Sequence, residues 1–411
     1  MIIGIGNIGT TSLKTKIINI NDNNIIEVLG EANLDKIKDA GESNFTYQVG
    51  KNKSGKDLVD IKGFEVGIKF LMDFYLQNNV LSDLKDIQAV GFKCILGEKN
   101  GANLLTPEMI GELERFKFVA PTHNIPYIES IGHFKKILGE IPMVSVFEPS
   151  FHYSIPEHRR LLGVPWKWYK KFNIQKHGFH GASHRYLSNM VFKLYGTEKI
   201  NLITIHLGGS SSIAAVKDGK SVDTSFNFSP NSGLLQGTRV GDIDGTAILF
   251  VMKELGLSIE DAQKEISENS GLKGTAGIGT DDLRAIIKAA KEGNKRAKLA
   301  IDLYIYGIRK YIGSFTAVLG GLNCIVFGGG IGEKSHLIRQ RCLENMEYMG
   351  LELDAQRNKN LNGKQGLIST NDSKVKIYII PTNEEVVVAI FTKKVVEKGR
   401  DLAPEEMILR L

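Results

Sequence analysis

Two short clusters of glycine and hydroxyl residues are the part of this sequence best suited to bind phosphate. Residues 9–13 read Gly-Thr-Thr-Ser-Leu and residues 209–213 read Gly-Ser-Ser-Ser-Ile. Each cluster lies between two apolar runs, which predicts a β-hairpin with the cluster at its tip. Glycine lets the backbone approach an anion, and exposed amides form an anion-binding concavity. The repetition indicates two related halves that bind one polyphosphate; the alternative is two ordinary polar hairpins.

Carboxylates follow two of the predicted strands. Glu148 comes directly after the apolar run 143–147, and Glu384 and Glu385 follow the strand that ends before Pro381. Ligands in α/β proteins bind at the carboxyl ends of strands, so Glu148 is a candidate site residue; the alternative is a helix or turn cap. One acid of the 384–385 pair could bind Mg²⁺, which prefers carboxylate oxygens.

Three histidines lie within eight residues: His177, His180 and His184. We interpret one of them as a donor to a transferring group. Zinc binding and histidines hydrogen-bonded within a turn are the alternatives, although glycines interrupt any helical spacing before Ser183. Ser183 is expected to be the N-cap of the helix that follows.

Two glycine-rich segments complete the candidate site. Arg239 lies between Gly237 and Gly241, and its planar guanidinium suits phosphate or carboxylate; a surface ion pair is the alternative. Residues 328–332 follow an apolar strand and precede a helix, which is the arrangement for a nucleotide at a helix N-terminus. They match neither a Walker loop nor a Rossmann fingerprint.

The composition favours an α/β protein of two or three domains. The chain has 411 residues, 42% of them apolar, and short apolar strands alternate with amphipathic helical stretches. A net charge of +6 from interspersed residues is too small to indicate nucleic-acid binding. Three scattered cysteines give no disulfide framework, and neither a signal peptide nor a membrane span is expected, which favours a cytoplasmic protein.

The spacing of the two clusters places a domain boundary near residue 150, so we expect an N-terminal lobe of residues 1–150, completed by the C-terminal helix 385–411, and a second lobe of residues 151–384. The predicted helices are 63–77, 107–116, 183–195, 258–269, 281–292 and 294–319, and the predicted strands are 89–91, 143–147, 201–205, 324–327 and 375–380.

Taken together and in their order along the sequence, the motifs resemble those of the acetate kinase family over nearly the whole chain. The resemblance implies the duplicated α/β fold shared with actin, Hsp70 and sugar kinases, with two lobes and a central cleft. It also implies a homodimer joined through the C-terminal, nucleotide-binding lobe. The matching segments are Asn7 with residues 9–14, then 120–124, 146–148, 178–186, 206–208, 223–225, 237–239, 330–333 and 381–385.

The activity implied by this resemblance is reversible phosphoryl transfer from ATP, with Mg²⁺, to acetate or a related small carboxylic acid. Such an acid is already ionised, so it needs neutralising cations rather than a base. The resemblance, carried over by position, implies catalysis by Lys93, Glu148, His180 and Arg239, and Mg²⁺ binding by Asn7, Glu148 and Glu384. It implies an acyl pocket formed by Ile95, Thr122, Phe179 and Pro230. The implied nucleotide and phosphate contacts are Asn7, Thr10, Ser12, Lys14, His206, Gly208, Gly209, Ser210, Asp282, Leu283, Arg284, Gly330, Ile331 and Gly332.

Several positions depart from the family pattern. Lys93 stands where the family has arginine and loses the bidentate fork, while Glu148 stands where it has aspartate. Gly209 and Ser210 replace an Asn-Gly pair, and Thr122 replaces a leucine of the acyl pocket, which favours a larger or more polar acyl group.

These departures keep other functions open. A nucleotide-binding but catalytically impaired regulator would explain Lys93, Glu148 and Gly209 together. A hydroxyl-acceptor kinase would need Glu148 as its base. A third alternative, a kinase that uses pyrophosphate, is disfavoured by the glycine segment that begins at residue 328.

Overall fold

The computed structural model describes residues 1–9, 11–37, 42–95, 97, 100–119 and 121–411, with only the backbone of residues 121–123. The chain forms two compact units. The first unit contains Met1–Phe151 and Asn383–Arg410, and the second contains His152–Thr382 and Leu411.

The first unit is built on a mixed eight-stranded sheet in the order β5-β4-β3-β2-β1-β6-β8-β7. Strand β1 pairs antiparallel with β2 and parallel with β6. The eight strands are β1 (Ile2–Ile8), β2 (Ser12–Ile20), β3 (Ile26–Asp35), β4 (Glu42–Val49), β5 (Lys53–Asp60), β6 (Ala89–Cys94), β7 (Ala102–Leu104) and β8 (Met143–Phe147).

The second unit has a six-stranded sheet in the order β11-β10-β9-β12-β14-β13. Strand β9 pairs antiparallel with β10 and parallel with β12. The strands are β9 (Asn201–Leu207), β10 (Ser211–Lys217), β11 (Lys220–Thr224), β12 (Cys324–Gly328), β13 (Gly366–Leu367) and β14 (Lys376–Ile379).

The two sheets share one topology. Strands β3-β2-β1-β6-β8 and β11-β10-β9-β12-β14 each contain two antiparallel pairs followed by two parallel pairs. The predicted α/β class and its duplication are therefore confirmed. The described residues of the two glycine–hydroxyl clusters lie at equivalent places, where the β1–β2 and β9–β10 hairpins turn and their second strands begin.

Helices cover the sheets. In the first unit they are α1 (Gly63–Gln77), α2 (Pro107–Arg115), α3 (Pro121–Leu138) and α15 (Glu384–Lys398). In the second unit they are α4 (Glu157–Arg160), α5 (Trp166–Phe172), α6 (Gly181–Tyr195), α7 (Gly245–Leu255), α8 (Ile259–Glu268), α9 (Gly271–Ala276), α10 (Leu283–Lys291), α11 (Lys295–Leu319), α12 (Gly329–Lys334), α13 (His336–Leu343) and α14 (Ala355–Asn360).

Local sequence explains most of these boundaries. The long helix α11 begins after Asn294, whose side chain accepts from the Ala297 N–H, and ends at Gly320, which has a φ of 72°. Its buried residues recur at three- and four-residue spacing, as an amphipathic helix requires. Among the described residues, the structure has no helix long and apolar enough to cross a membrane.

The predicted N-cap of α6, Ser183, is wrong. Helix α6 begins two residues before Ser183, and its N-cap residue is His180, with a φ of 56°. Ser183 is therefore inside the helix, and its hydroxyl contacts side chains of other elements rather than capping the backbone. Tertiary contacts outweigh the local preference of serine for a cap.

Candidate active site

A cluster of charged side chains surrounds the N-terminus of α15 in the first unit. Helix α15 packs on β1, β6 and β8. It can lie this close to β6 because Gly91 has no side chain; a Cβ there would collide with Thr392 and Val388. Glu384 and Glu385 occupy the first turn of α15, where the helix dipole favours negative charge.

Lys93 pairs with Glu384. Its ammonium lies 2.6 Å from Glu384 Oε2, and the side chains are only 16% and 10% exposed. Burial by itself would lower the pKa of Lys93, but Glu384 and then Glu148 outweigh it, so that pKa is raised above the usual value. Glu148 is buried and directly follows β8, the strand that pairs with β6 at Lys93. The Lys93 ammonium is therefore charged at neutral pH, stabilised by the nearby carboxylates.

Lys16 is a second, mostly buried cation of this cluster, and the sequence analysis did not identify it. Its ammonium lies 3.2 Å from Glu385 Oε2 and 3.2 Å from Glu31 Oε2. Burial would raise the pKa of Glu385, but Lys16 and the Asn7 amide hold it at about 2. The available signal was strand periodicity, because Ser12, Lys14 and Lys16 share one face of β2.

Asn7 has a defined orientation. Its Nδ2 donates to Glu385 Oε1 at 3.1 Å. A carboxylate can only accept, so the amide must turn its NH₂ group toward Glu385, and its carbonyl oxygen is directed elsewhere. On the neighbouring turn, the Gly9 N–H donates to the Ser12 carbonyl at 2.8 Å, and a Cβ at Gly9 would collide with the Ser12 hydroxyl.

In the second unit, the backbone before α6 places His180 beside the β9–β10 hairpin. Gly178 has a φ of 77°, and a Cβ there would lie 2.5 Å from the His152 ring. The His180 Nδ1 lies 2.8 Å from the Ser212 hydroxyl of β10. The His180 ring stacks on His206, with centroids 4.2 Å apart and planes at 28°.

His206 is tied to the glycine segment through hydroxyl groups. The Ser183 hydroxyl lies 2.8 Å from His206 Nδ1 and 2.9 Å from the Thr382 hydroxyl. The Thr382 N–H in turn donates to Glu333 Oε1 at 3.1 Å. These contacts join α6, β9 and the end of α12 in one network.

Arg239 is held against the second hairpin tip. Its Nη1 donates to the Ser210 hydroxyl and to Gln236 Oε1, each at 3.1 Å. Both partners are neutral, so these contacts orient the guanidinium without cancelling its charge. Burial lowers the pKa of Arg239 to about 10, which still leaves it charged at neutral pH. Gln236, which also donates to the Pro230 carbonyl at 2.8 Å, is a further residue not identified from the sequence.

The glycine segment packs against the end of β9. Gly329, the first residue of α12, has a φ of 74°, and a Cβ there would lie 2.6 Å from the Leu207 carbonyl oxygen. The Gly237 N–H donates to the Gly209 carbonyl at 2.9 Å, which joins the Arg239 loop to the hairpin tip. The second unit therefore brings a hairpin tip, a glycine turn and an arginine to one place.

Comparison with known proteins identifies the chain. It matches the model of the acetokinase family over residues 2–390. The chain belongs to the acetokinase family. It is 39% identical over 399 residues to acetate kinase of Clostridium novyi (strain NT), covering 96% of this chain and 98% of that protein.

Solved structures agree with this acetokinase assignment. The Porphyromonas gingivalis acetate kinase matches with a TM-score of 0.83 at 32% identity, covering 96% of this chain and 99% of that one. A propionate kinase from Francisella tularensis subsp. tularensis SCHU S4 matches with a TM-score of 0.86 at 30% identity, with the same coverage. The predicted reaction class, phosphoryl transfer from ATP to a short-chain carboxylate, is confirmed, and nothing in these comparisons favours the alternatives.

The remaining residues implied by the acetokinase resemblance lie as follows. Phe179 is buried and packs edge-on against Phe226, with centroids 5.3 Å apart. Ile95 is half-buried beyond the end of β6. Thr10 and the side chain of Thr122 lie outside the described residues.

The 282–284 segment starts α10 beside the Arg239 loop. Asp282 is the N-cap, accepting from the Arg284 N–H at 2.9 Å, and its Oδ2 lies 2.7 Å from the exposed guanidinium of Arg284. A Cβ at Gly237 would lie 2.7 Å from Asp281 Oδ2, so the segment contacts the loop. Leu283 is buried, whereas Gly330, Ile331 and Gly332 form the middle of α12.

Proposed function

We propose that the protein uses ATP and Mg²⁺ to phosphorylate acetate or a related small carboxylic acid, giving an acyl phosphate and ADP. The observation that carries this proposal is the arrangement in the second unit, where Arg239 and His180 both contact the hydroxyls of the β9–β10 hairpin, at Ser210 and Ser212. A phosphoryl group at that hairpin would meet amides, hydroxyls and a fixed guanidinium.

The second unit supplies charge stabilisation in this proposal. Phosphoryl transfer spreads negative charge over the equatorial oxygens, and catalysis consists mainly of positioning and neutralisation. Arg239 is held in place before the substrate arrives, so little reorganisation is needed. His180 would donate a hydrogen bond to the transferring group. Gly208, Gly209, Ser210, His206 and the 282–284 and 330–332 segments would contact the nucleotide.

The first unit supplies the remaining cations and the Mg²⁺ ligands. The acid substrate is ionised near neutral pH, so Lys93 acts on charge repulsion rather than as a base. The donor set of Glu148, Glu384 and the Asn7 carbonyl oxygen suits Mg²⁺, which binds through one or two carboxylates together with phosphate oxygens and water. Mg²⁺ would offset phosphate charge, and Ser12, Lys14 and Thr10 would bind the phosphates.

The acyl pocket would contain Ile95, Thr122, Phe179 and Pro230. In the second unit Phe179 is buried against Phe226, and it would supply an apolar wall of this pocket. Thr122 adds a hydroxyl where the family has leucine. We therefore propose that a larger or hydroxylated acid competes with acetate, since each buried CH₂ is worth about 0.8 kcal/mol.

We further propose a cytoplasmic homodimer. Helix α7 of the second unit is lined with exposed apolar side chains, among them Leu249 at 67% and Phe250 at 62% exposure. Patches of this kind mark interaction surfaces. The three cysteines are free and buried, as suits a reducing compartment. The two units would be the N-terminal lobe and the nucleotide-binding lobe.

Trapping the acyl phosphate tests this function. The purified protein, ATP and Mg²⁺ are incubated with hydroxylamine and acetate, propionate, butyrate or a hydroxylated acid, and the hydroxamate is measured. We expect product with at least one acid. A protein that binds ATP but forms no hydroxamate with any acid would be the catalytically impaired relative instead. A clear preference for acetate would remove the role given to Thr122.

A further inference from the structure

A chain of buried polar side chains leads from His180 into the core of the second unit. The Ser212 hydroxyl lies 2.8 Å from His180 Nδ1 and 2.8 Å from His184 Nε2. On the far side of its ring, His184 Nδ1 lies 2.7 Å from the Thr204 hydroxyl. Ser212, His184 and Thr204 are completely buried. Nothing in the assigned reaction requires this chain beyond His180.

Three elements fix the chain. His180 and His184 are four residues apart, at the N-cap and in the first turn of α6, so their rings lie on one side of the helix. Ser212 belongs to β10 and Thr204 to β9, neighbouring strands of the sheet on which α6 packs. The hydroxyls therefore come from the sheet and the imidazoles from α6 and its N-cap, and the packing of α6 on the sheet brings them together.

The number of hydrogens that these side chains carry decides which group donates and which accepts in each hydrogen bond. Burial holds the pKa of His184 well below its usual value, so its ring is neutral and carries one N–H. Among the residues that the structure describes, the Thr204 hydroxyl has His184 Nδ1 as its hydrogen-bond partner. If Nδ1 carried the proton, the Thr204 hydrogen would have no acceptor there, and a buried unsatisfied hydroxyl is costly. Thr204 therefore donates to Nδ1, and the His184 proton lies on Nε2.

The same reasoning continues to His180. His184 Nε2–H donates to the Ser212 oxygen, so Ser212 turns its own hydrogen to His180 Nδ1. A nitrogen that accepts cannot carry a proton. We propose that Thr204, His184 and Ser212 fix His180 as the neutral imidazole with its proton on Nε2, and that Ser212 is a positioning residue for phosphoryl transfer.

This arrangement assigns different tasks to the two basic residues of the second unit. His180 offers a hydrogen bond from Nε2 without becoming a cation, and Arg239 supplies the positive charge. The proposal rests on the proposed function, because His180 meets a phosphoryl group only in that reaction. His206, stacked at 4.2 Å, and Phe226, with its centroid 5.4 Å away, also face His180.

Nitrogen NMR of the intact protein tests the tautomer directly. The full chain is labelled with ¹⁵N-histidine, and the His180 signals are assigned by their loss in His180→Gln. At neutral pH we expect an unprotonated, pyridine-type shift for Nδ1 and a protonated, pyrrole-type shift for Nε2. A His180 with its proton on Nδ1, or doubly protonated, would overturn the proposal without any variant being needed.

Three variants test the role of this series of hydrogen bonds. In Ser212→Ala the donor to Nδ1 is lost, so we expect mixed tautomers and a kcat about tenfold lower, with KM for the acid little changed, as the loss of one hydrogen bond implies. Ser212→Thr keeps the hydroxyl and should restore both the single His180 tautomer and the wild-type kcat. Thr204→Val, which is nearly isosteric, should also shift the His180 tautomer.

Ser221→Ala is the matched control, because it removes an equivalent serine contact, 2.9 Å long, from His152 instead of His180. It should leave the His180 nitrogen shifts in place. Unchanged shifts and kcat in Ser212→Ala would refute the proposal even if the wild type forms acyl phosphate. The expected tautomer in a protein that forms none would refute the proposed reaction and leave the tautomer assignment intact.

Discussion

At the scale of single residues, the buried pairs around α15 show how this chain carries its departures from the family pattern. Lys93 presents one ammonium to Glu384 where an arginine would present a planar fork. Glu148 is close enough to raise the pKa of the Lys93 ammonium as well. Lysine in place of the family's arginine and glutamate in place of its aspartate thus occur in the same cluster. The positive charge is retained.

The Lys16–Glu385 pair gives a prediction of stability. Lys16→Met should destabilise the protein by about 3 kcal/mol at pH 7, because it leaves a buried carboxylate without its cation. The folded pKa of Glu385, about 2, lies below its usual 4.5, so its contribution is present above pH 4.5 and is lost as the pH falls through about 2. The difference in the free energy of unfolding between Lys16→Met and the wild type should therefore shrink by about 1.4 kcal/mol per pH unit below pH 4.5.

Chemical denaturation in steps from pH 7 to pH 3.5 measures this effect. Lys14→Met is the control, because it removes the same charge from an exposed position on the same strand. An equal loss of stability in both variants at every pH would show that Lys16 contributes only a general surface charge.

At the scale of elements, glycines decide how closely the backbone can approach the site. Gly91 lets α15 pack on β6, Gly329 lets α12 turn against β9, and Gly178 lets the segment before α6 pass the His152 ring. In each case the missing Cβ brings a site residue within reach of its partners. The sequence marks these positions only as glycine, and the close contact identifies which ones are indispensable.

Gly178→Ala should lower both stability and kcat. The new Cβ would collide with the His152 ring, and φ is 77°, which costs a non-glycine residue about 1–2 kcal/mol by itself. Because His180 is two residues away, the displacement should reduce kcat more than tenfold.

Gly196→Ala separates the cost of the positive φ from the effect of the collision with His152. It lies at the other end of α6 with a φ of 66°, but its Cβ would meet nothing within 4 Å. Thermal unfolding and steady-state kinetics should show a similar backbone cost in Gly196→Ala with normal kcat. If both variants kept wild-type kcat, the position of His180 would not depend on Gly178.

At the scale of the whole molecule, the proposed homodimer rests on the exposed apolar face of α7. Leu249 and Phe250 are more than 60% exposed, and no residue of α7 is buried within the chain. Leu249→Glu with Phe250→Glu should convert a dimer to a monomer, measured by light scattering after size-exclusion chromatography. Leu58→Glu, an exposed leucine of the first unit at 58% exposure, should leave the dimer intact. A wild-type protein that is monomeric at micromolar concentration would contradict the homodimer.

Short stretches of the sequence were enough to predict the local structure. Helix α1 at 63–77 and strand β8 at 143–147 follow from hydrophobic periodicity, and both hairpins follow from strand–turn–strand patterns. The short motifs were sufficient to indicate the family, because each keeps its chemistry within a few consecutive residues.

The partners of the site residues, in contrast, depend on how distant elements pack together. Lys93 and Glu384 are 291 residues apart, and Lys16 and Glu385 are 369 apart. The Ser212 contacts with His180 and His184, and the interior place of Ser183, likewise depend on how α6 packs on β9. Local patterns specify the period of an element, whereas contacts between distant elements depend on sheet register and packing, which no short stretch of sequence encodes.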